Sequence, residues 1–253
     1  MSEFNLQQLE DFLNIAKDAI VLAGDHLSSG KKSSREVHAS EGHDIKLAAD
    51  QESEKIIIDY LTARSSFSIL SEEKGLIKSD DSGYLWIIDP VDGTMNYSRE
   101  IPLCCVSIGL WKDDNPILGI VYDFNRGDFF SGIVGRGAWH NDHKIKVSEV
   151  QDKSKGILAT GFPSKMDYSD ENLLGFVKSV QGYKKVRLLG TATLSLIYVA
   201  CGLIDAYFEK NIMLWDIAGA FPIILEAGGY VEKQKTSISY SFDVFASNGL
   251  IKK

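Results

Sequence analysis

A chain of 253 residues with 44% hydrophobic content can bury a sizeable core, and its length fits one compact unit or two tightly joined layers. Its net charge of −8 argues against a nucleic-acid partner, no apolar run reaches the roughly 18 residues that cross a bilayer, and the N-terminus lacks a signal-peptide pattern. The expectation is a cytoplasmic protein with no membrane and no nucleic-acid partner, whose Cys104, Cys105 and Cys201 are buried thiols, since they lie in apolar stretches with no framework spacing and no basic neighbour.

In chain order, Leu6, Leu9, Phe12, Leu13, Ala16, Ile20, Ala23 and Leu27 recur at helical spacing and predict a helix over 5–28 that packs on a sheet. The polar stretch 30–44 reads as a mobile loop, and a second helix is expected over 47–63. Strands follow near 67–71, 84–89, 103–111, 117–123 and 128–134, the last three as an antiparallel meander with turn chemistry at Asp113-Asp114-Asn115-Pro116 and Asn125-Arg126-Gly127-Asp128. Beyond 150 strands alternate with helices: strand 156–160, helix 169–179, strand 184–188, helix 191–201, strand 204–209, one helix over 214–227, and short strands near 229–232 and 243–247. Pattern alone gives an α/β or α+β layered protein. No internal repeat is present.

The most informative stretch is Asp89-Pro90-Val91-Asp92-Gly93-Thr94, entered from the strand-like Tyr84-Leu85-Trp86-Ile87-Ile88. Two carboxylates three residues apart at the end of a buried strand, with freed backbone carbonyls beside them, can converge on a hard cation, which outlines a magnesium site. A second apolar strand ends in Ser71-Glu72-Glu73, and Trp215-Asp216 opens a helical run that stops at Glu226-Ala227-Gly228-Gly229 with the glycines as a C-cap. These motifs, with Ala49-Asp50 and Glu54, Asn96, Gly135-Arg136-Gly137-Ala138-Trp139 and Gly190-Thr191-Ala192, stand in an order that resembles the inositol monophosphatase family of magnesium-dependent, lithium-sensitive sugar-phosphate phosphatases. The resemblance covers nearly the whole chain and implies an alternating α-β-α-β-α sandwich, with an N-terminal α+β portion over 1–150 carrying most metal ligands and a C-terminal α/β portion over 151–253.

Phosphate monoesters hydrolyse so slowly unaided that a catalyst must neutralise phosphoryl oxygens, activate water and stabilise the leaving alkoxide, which clustered magnesium ions held by several acids can do. Glu72, Asp89, Asp92 and Asp216 are such a set. The resemblance implies two to three magnesium ions, the first on Glu72, Asp89 and the Val91 carbonyl, the second on Asp89, Asp92 and Asp216, with a third near Glu72. It also implies that Asp50 orients Thr94 and that the two act with Glu72 on the attacking water. Substrate contacts are expected from Asp92, the Gly93 and Thr94 amides, Gly190, Thr191, Ala192, Glu209 and Asp216. Trp215 is expected to pack and fix Asp216, His26, His38, His43, His140 and His143 to lie in loops or on the surface, and the Lys31-Lys32 and Lys184-Lys185 pairs to be solvated.

The chain departs from the family at Lys46-Leu47, where a Val-Thr pair is common, in the 30–44 segment, where no loop lysine can be matched, and after Ser247-Asn248-Gly249-Leu250, where relatives usually continue into another helix. The expected activity is hydrolysis of inositol monophosphate or a similar sugar or polyol phosphate by a homodimer. The alternatives are a relative acting on fructose 1,6-bisphosphate, histidinol phosphate or 3′-phosphoadenosine 5′-phosphate, and a non-catalytic regulatory binding protein.

Overall fold

The structure, a computed structural model, describes residues 4–30, 37–41, 44–78, 80–162 and 168–253, and of 37–41 and 44–46 the backbone alone. Helix α1 (Leu6–Ser29) opens with a capping box: the Asn5 side chain accepts the Gln8 N–H and Gln8 Oε1 accepts the Asn5 N–H, both at 3.0 Å. Of the loop expected over 30–44, residues 37–41 and 44 belong instead to an antiparallel ribbon of β1 (Val37–Glu41) and β2 (Asp44–Leu47), and 31–36 and 42–43 lie outside the described residues. The backbone groups of the ribbon satisfy one another. Lys31, Lys32, His43 and the Lys46 side chain lie outside the described residues.

After α2 (Ala48–Thr62) come β3 (Ser68–Ser71), β4 (Gly75–Ile77), β5 (Tyr84–Asp92), the short α3 (Thr94–Ser98), β6 (Cys105–Lys112), β7 (Asn115–Asp123), β8 (Asp128–Ile133), β9 (Gly137–His140) and β10 (His143–Lys144). They form an eight-stranded sheet in the order β10-β9-β8-β7-β6-β5-β3-β4, with β3 and β5 parallel. The expected meander is β6–β8, prolonged by β9 and β10. The second half supplies β11 (Ile157–Thr160), α4 (Asp170–Val180), β12 (Lys185–Arg187), α5 (Ala192–Ala200), β13 (Ala206–Met213), α6 (Leu214–Ala218), α7 (Ala220–Glu226), β14 (Tyr230–Lys235) and β15 (Ser241–Ser247). Its sheet runs β12-β11-β13-β15-β14, with β11 parallel to both neighbours.

Period-2 alternation divides the large sheet's apolar side chains between two cores. Trp86, Ile88, Val106, Ile108 and Leu110 face α1 and α2, whereas Ile87, Cys105, Trp111 and Val121 face α5, α6 and α7. The other side of those helices meets Tyr207, Ile212, Phe242, Val244 and Ala246 of the second sheet. That sheet's outer face carries Leu158, Ala206 and Phe245 under Val180 of α4. The layers are therefore α-β-α-β-α. Among the described residues no helix is long and apolar enough to cross a membrane.

The single helix expected over 214–227 is two, broken at Gly219. Pro222 has no N–H to return to the Ala218 carbonyl, which instead accepts the Trp111 indole N–H at 3.0 Å. A Cβ on Gly119 would lie 2.0 Å from the Gly219 carbonyl oxygen, so the break packs directly against strand backbone.

Candidate active site

Strand β5 does not stop at residue 89 as its sequence suggests, but runs to Asp92 through a bulge. Asp89 pairs with Ser107 and Asp92 with Cys105, so β5 spends one residue more than β6 at Pro90-Val91, where proline has no ladder donor to lose. Residues three apart on a regular strand face opposite sides; one extra residue reverses the parity. Both acids therefore turn to the α5 and α6 side. The Asp89 carboxylate accepts the Val91 N–H at 3.0 Å, and Asp92 accepts the Thr193 N–H at 2.9 Å, the Ala192 N–H at 3.3 Å and the hydroxyl of Thr191. The Cys105 thiol also donates to Asp92, at 3.7 Å.

Two further acids are placed by one device. Asp50 and Asp216 each stand third in a helix, α2 and α6, and reach back to accept the N–H of the residue before it: Leu47 at 2.8 Å and Met213 at 2.9 Å. Both lie where the helix dipole favours a negative charge. Glu72 sits in the turn between β3 and β4. That turn is held from α2, whose buried Glu54 accepts the Glu73 N–H at 3.1 Å, the Lys74 N–H at 3.0 Å and the Ser71 hydroxyl. Ser53 on the same helix donates to the Pro90 carbonyl at 2.9 Å. One turn of α2 thus binds both acid-bearing turns, a role that no local signal around Ser53 or Glu54 announces.

Burial pushes Glu72, Asp89 and Asp216 well above the usual carboxylate range, and each is raised further by other acids: Glu72 by Asp216 and Asp50, Asp89 by Glu72 and Asp92, Asp216 by Asp92. Burial raises Asp92 less, because Thr191, Thr193, Ala192 and Cys105 oppose it. Among the described residues no group of three His, Cys, Asp or Glu side chains stands ready-made to hold a metal ion, Asp92 being turned onto its donors and Asp216 onto its cap. The donor set nevertheless fits magnesium: hard oxygens from the β3–β4 turn, β5 and α6, crowded until they repel, with no lysine, arginine or histidine among the described residues paired to Glu72, Asp89, Asp92 or Asp216.

Around this cluster the other anticipated residues take definite places. Gly93 adopts φ +86° as the residue before α3, and a Cβ there would come 2.8 Å from the Leu103 carbonyl oxygen. Thr94 is the first residue of α3, and its hydroxyl donates to the Val91 carbonyl at 3.0 Å. The Ala192 N–H and Thr191 hydroxyl point to Asp92, while the Gly190 carbonyl accepts from Asn96 at 3.3 Å. Asn96 also donates to the carbonyls of Leu103, at 2.8 Å, and Leu189, at 2.9 Å, tying the 93–105 segment to the start of α5. The Thr193 hydroxyl donates to the Asp216 carbonyl at 2.8 Å, a link that the sequence reading missed. Glu209, on a bulge in β13, accepts the Tyr207 hydroxyl at 2.8 Å, and its burial lifts its pKa to about 7, with a further push from Asp92.

Trp215 packs against the core, as expected. Burial drives the Cys105 thiol well above its usual pKa and Cys201 up to about 12, so neither is a thiolate. The histidines were expected in loops or on the surface, and His26, His140 and His143 do reach the surface, though from regular elements. His26 ends α1 beside Glu52, His38 lies in β1, His143 in β10, and His140 in β9, stacked on Phe130 with ring centroids 4.5 Å apart; all four belong to regular elements. The Gly135-Arg136 motif is structural: its two N–H groups donate to Glu226 at 2.7 and 3.0 Å.

With this arrangement in view, likeness to known proteins is informative. Residues 8–253 match the model of the inositol monophosphatase family. The chain is 36% identical over 232 residues to an inositol-1-monophosphatase of Synechocystis sp., covering 90% of this chain and 80% of that protein. It is 34% identical over 234 residues to a Nus factor SuhB of Pasteurella multocida, covering 88% and 85%. The crystal structure of extragenic suppressor protein suhB from Bartonella henselae superposes with a TM-score of 0.86 at 31% identity over 95% of each chain. The chain belongs to the inositol monophosphatase family.

Proposed function

We propose that this protein hydrolyses a small phosphate monoester, an inositol monophosphate or a related polyol or sugar phosphate, with magnesium held by Glu72, Asp89, the Val91 carbonyl, Asp92 and Asp216. The observation that carries the reading is the bulge that turns Asp89 and Asp92 to one side, against Asp216 and Glu72, in a cluster of acids with no basic side chain paired to them among the described residues. These residues would hold magnesium, which would supply neutralisation of the phosphoryl oxygens and acidification of water. The chain's own residues do the rest. Thr94 Oγ1 and Asp50 hold the attacking water and take its proton, which is supported by their places on the first turns of α3 and α2, the helix whose Ser53 grips the Pro90 carbonyl. The Gly93 and Thr94 amides receive the phosphate, and Glu209 receives a hydroxyl of the alcohol. The reading includes a cytoplasmic homodimer with no nucleic-acid partner, the last supported by the net charge of −8.

The name Nus factor carried by the Pasteurella relative favours a second reading, a regulatory binding protein. A phosphate-release screen over inositol, sugar, nucleotide and amino-alcohol phosphates with magnesium separates the two. Release from at least one ester, lost by orders of magnitude in Asp92→Asn, is expected; no release from any ester, or a near-normal rate in the variant, overturns the hydrolytic reading.

A further inference from the structure

The second sheet is wound from its middle. From β11 the chain crosses through α4 to β12 on one side, then returns through α5 past β11 to β13 on the other. In such sheets the crevice outside the strand ends, where the winding reverses, is where ligands bind. Here it lies between the end of β11 and the bulge of β13, at Thr160, Gly161 and Glu209, where Asn211 takes φ +55°. It opens into a cavity of about 360 Å³ reaching beneath α4.

Three features show that this space is built rather than left over. First, α4 stands off the sheet: only Val180 at its end joins the small core, and the face toward the cavity carries Asn172, Gly175, Phe176 and Ser179 at helical spacing. Second, Gly175 costs helix stability, yet a Cβ there would meet nothing within 4 Å. Third, Thr160, only 3% exposed, is one of the residues that line the cavity, and its buried hydroxyl has no hydrogen-bond partner among the described residues. Buried polar atoms left so are rare and call for a partner.

We infer that this crevice is a recognition pocket, beyond Glu209, for a neutral ring carried by the alcohol half of the substrate, so that the preferred ester is a glycoside- or nucleoside-like phosphate rather than a bare polyol phosphate. The inference rests on the hydrolytic reading above. Phe176, whose ring centroid lies 4.6 Å from that of Phe162, and Phe208, which also packs on the small core, give a ring apolar contact, and Thr160 and Glu209 offer orientation, the mixture typical of small-molecule pockets. A second phosphate is disfavoured, since Glu209 offsets Lys210, the one cation among the described lining residues.

The test compares phenyl glucoside 6-phosphate and adenosine 5′-monophosphate with inositol 1-phosphate and fructose 1,6-bisphosphate. The native protein should show a KM for one ring-bearing ester at least tenfold below that for inositol 1-phosphate. Gly175→Leu, which fills the cavity on a helix that tolerates leucine better than glycine, should lower the ratio of kcat/KM for that ester over inositol 1-phosphate at least tenfold. Thr160→Val should raise the ring-bearing ester's KM several-fold without lowering Tm. Equal effects on all esters, or a preference for the bisphosphate that Lys210→Ala abolishes, overturn the proposal. If no ester is hydrolysed, saturation-transfer NMR with phenyl glucoside and adenosine decides: ring signals seen with the native protein and lost in Gly175→Leu sustain the pocket while the hydrolytic reading falls, and their absence from the native protein removes the pocket as well.

Discussion

Asp216→Asn separates a metal site from an acidic cluster that merely happens to be buried. Asparagine keeps the size, and its side-chain oxygen can still accept the Met213 N–H that Asp216 accepts at 2.9 Å, so α6 keeps its start. What disappears is a buried charge raised well above its usual pKa by burial and by Asp92. Each pK unit of relieved repulsion is worth about 1.4 kcal/mol. For 253 residues the unfolding entropy is about 0.5 kcal/mol/K, so the chelated variant should melt about 2–3 °C above the native protein for each such unit. Magnesium at a hundredfold excess over Kd adds about 2.7 kcal/mol, a rise of about 5 °C in the native protein. A variant whose Kd is weakened about a hundredfold gains under about 1 °C at the same concentration. Calorimetric scans of both proteins in chelator and in magnesium read all four values. Equal magnesium shifts, or a variant that melts lower than the native protein in chelator, would refute the proposed site.

Glu54→Ala removes the one oxygen that accepts all three donors of the turn that carries Glu72, and a lost hydrogen bond to a charged group, about 1.5–3 kcal/mol, predicts a ten- to hundredfold higher magnesium requirement with kcat little changed; an unaltered magnesium titration counts against this role. Gly119→Ala, with its Cβ 2.0 Å from the Gly219 oxygen, should cost about 1–3 kcal/mol and lower Tm by about 2–6 °C while the magnesium increment persists. Because Glu72, Asp89 and Asp216 titrate well above their unfolded values near 4, the folded state holds more protons than the unfolded one between those limits. Stability of the chelated protein should therefore fall as pH rises above the unfolded values, by at most about 1.4 kcal/mol per pH unit for each proton, and magnesium should flatten the profile; a Tm that climbs with pH in chelator contradicts the raised values. Lithium should inhibit uncompetitively against substrate, and phosphate release unaffected at high lithium removes the chain from the sensitive branch.

The elements set by local pattern were legible: α1, the meander and the alternation after residue 150 follow from period and turn chemistry alone. The acids were legible as types. Their convergence was not, since the bulge at Pro90-Val91 shows only in the register against β6, and the donors that hold Asp92 lie about a hundred residues away at Thr191, Ala192 and Thr193. The break at Gly219 was missed because an apolar run reads as one helix unless the fate of the Ala218 carbonyl is known, and that carbonyl is claimed by Trp111 from another element. The ribbon of 37–41 and 44–47 was missed because its apolar-polar alternations, Val37 to Ser40 and Asp44 to Leu47, are only four residues long and stand in a Gly-, Ser- and Lys-rich stretch that reads as loop.

Carboxylates buried in this chain fall into two groups by what surrounds them, and the division says more than burial. Glu54 has three donors, Asp205 accepts the Ile157 N–H and the Ser148 hydroxyl, and Asp123 pairs with Arg126 and accepts the Asn125 and Arg126 N–H groups. Such acids stabilise turns, because the charge is met by fixed donors. Asp89 and Asp216 each receive one backbone N–H and otherwise face acids, and the strongest electrostatic neighbours of Glu72 are likewise acids. A fold gains nothing from crowding charges of one sign, so a cluster of this kind persists where a cation restores the balance. Asp92 belongs to both groups: its four donors fix it in place without magnesium, while its nearness raises Asp89 and Asp216. In the proposed site it is thus the acid held in place by the protein's own donors, and those donors, Thr191 and Thr193 above all, tie the acid cluster to the start of α5.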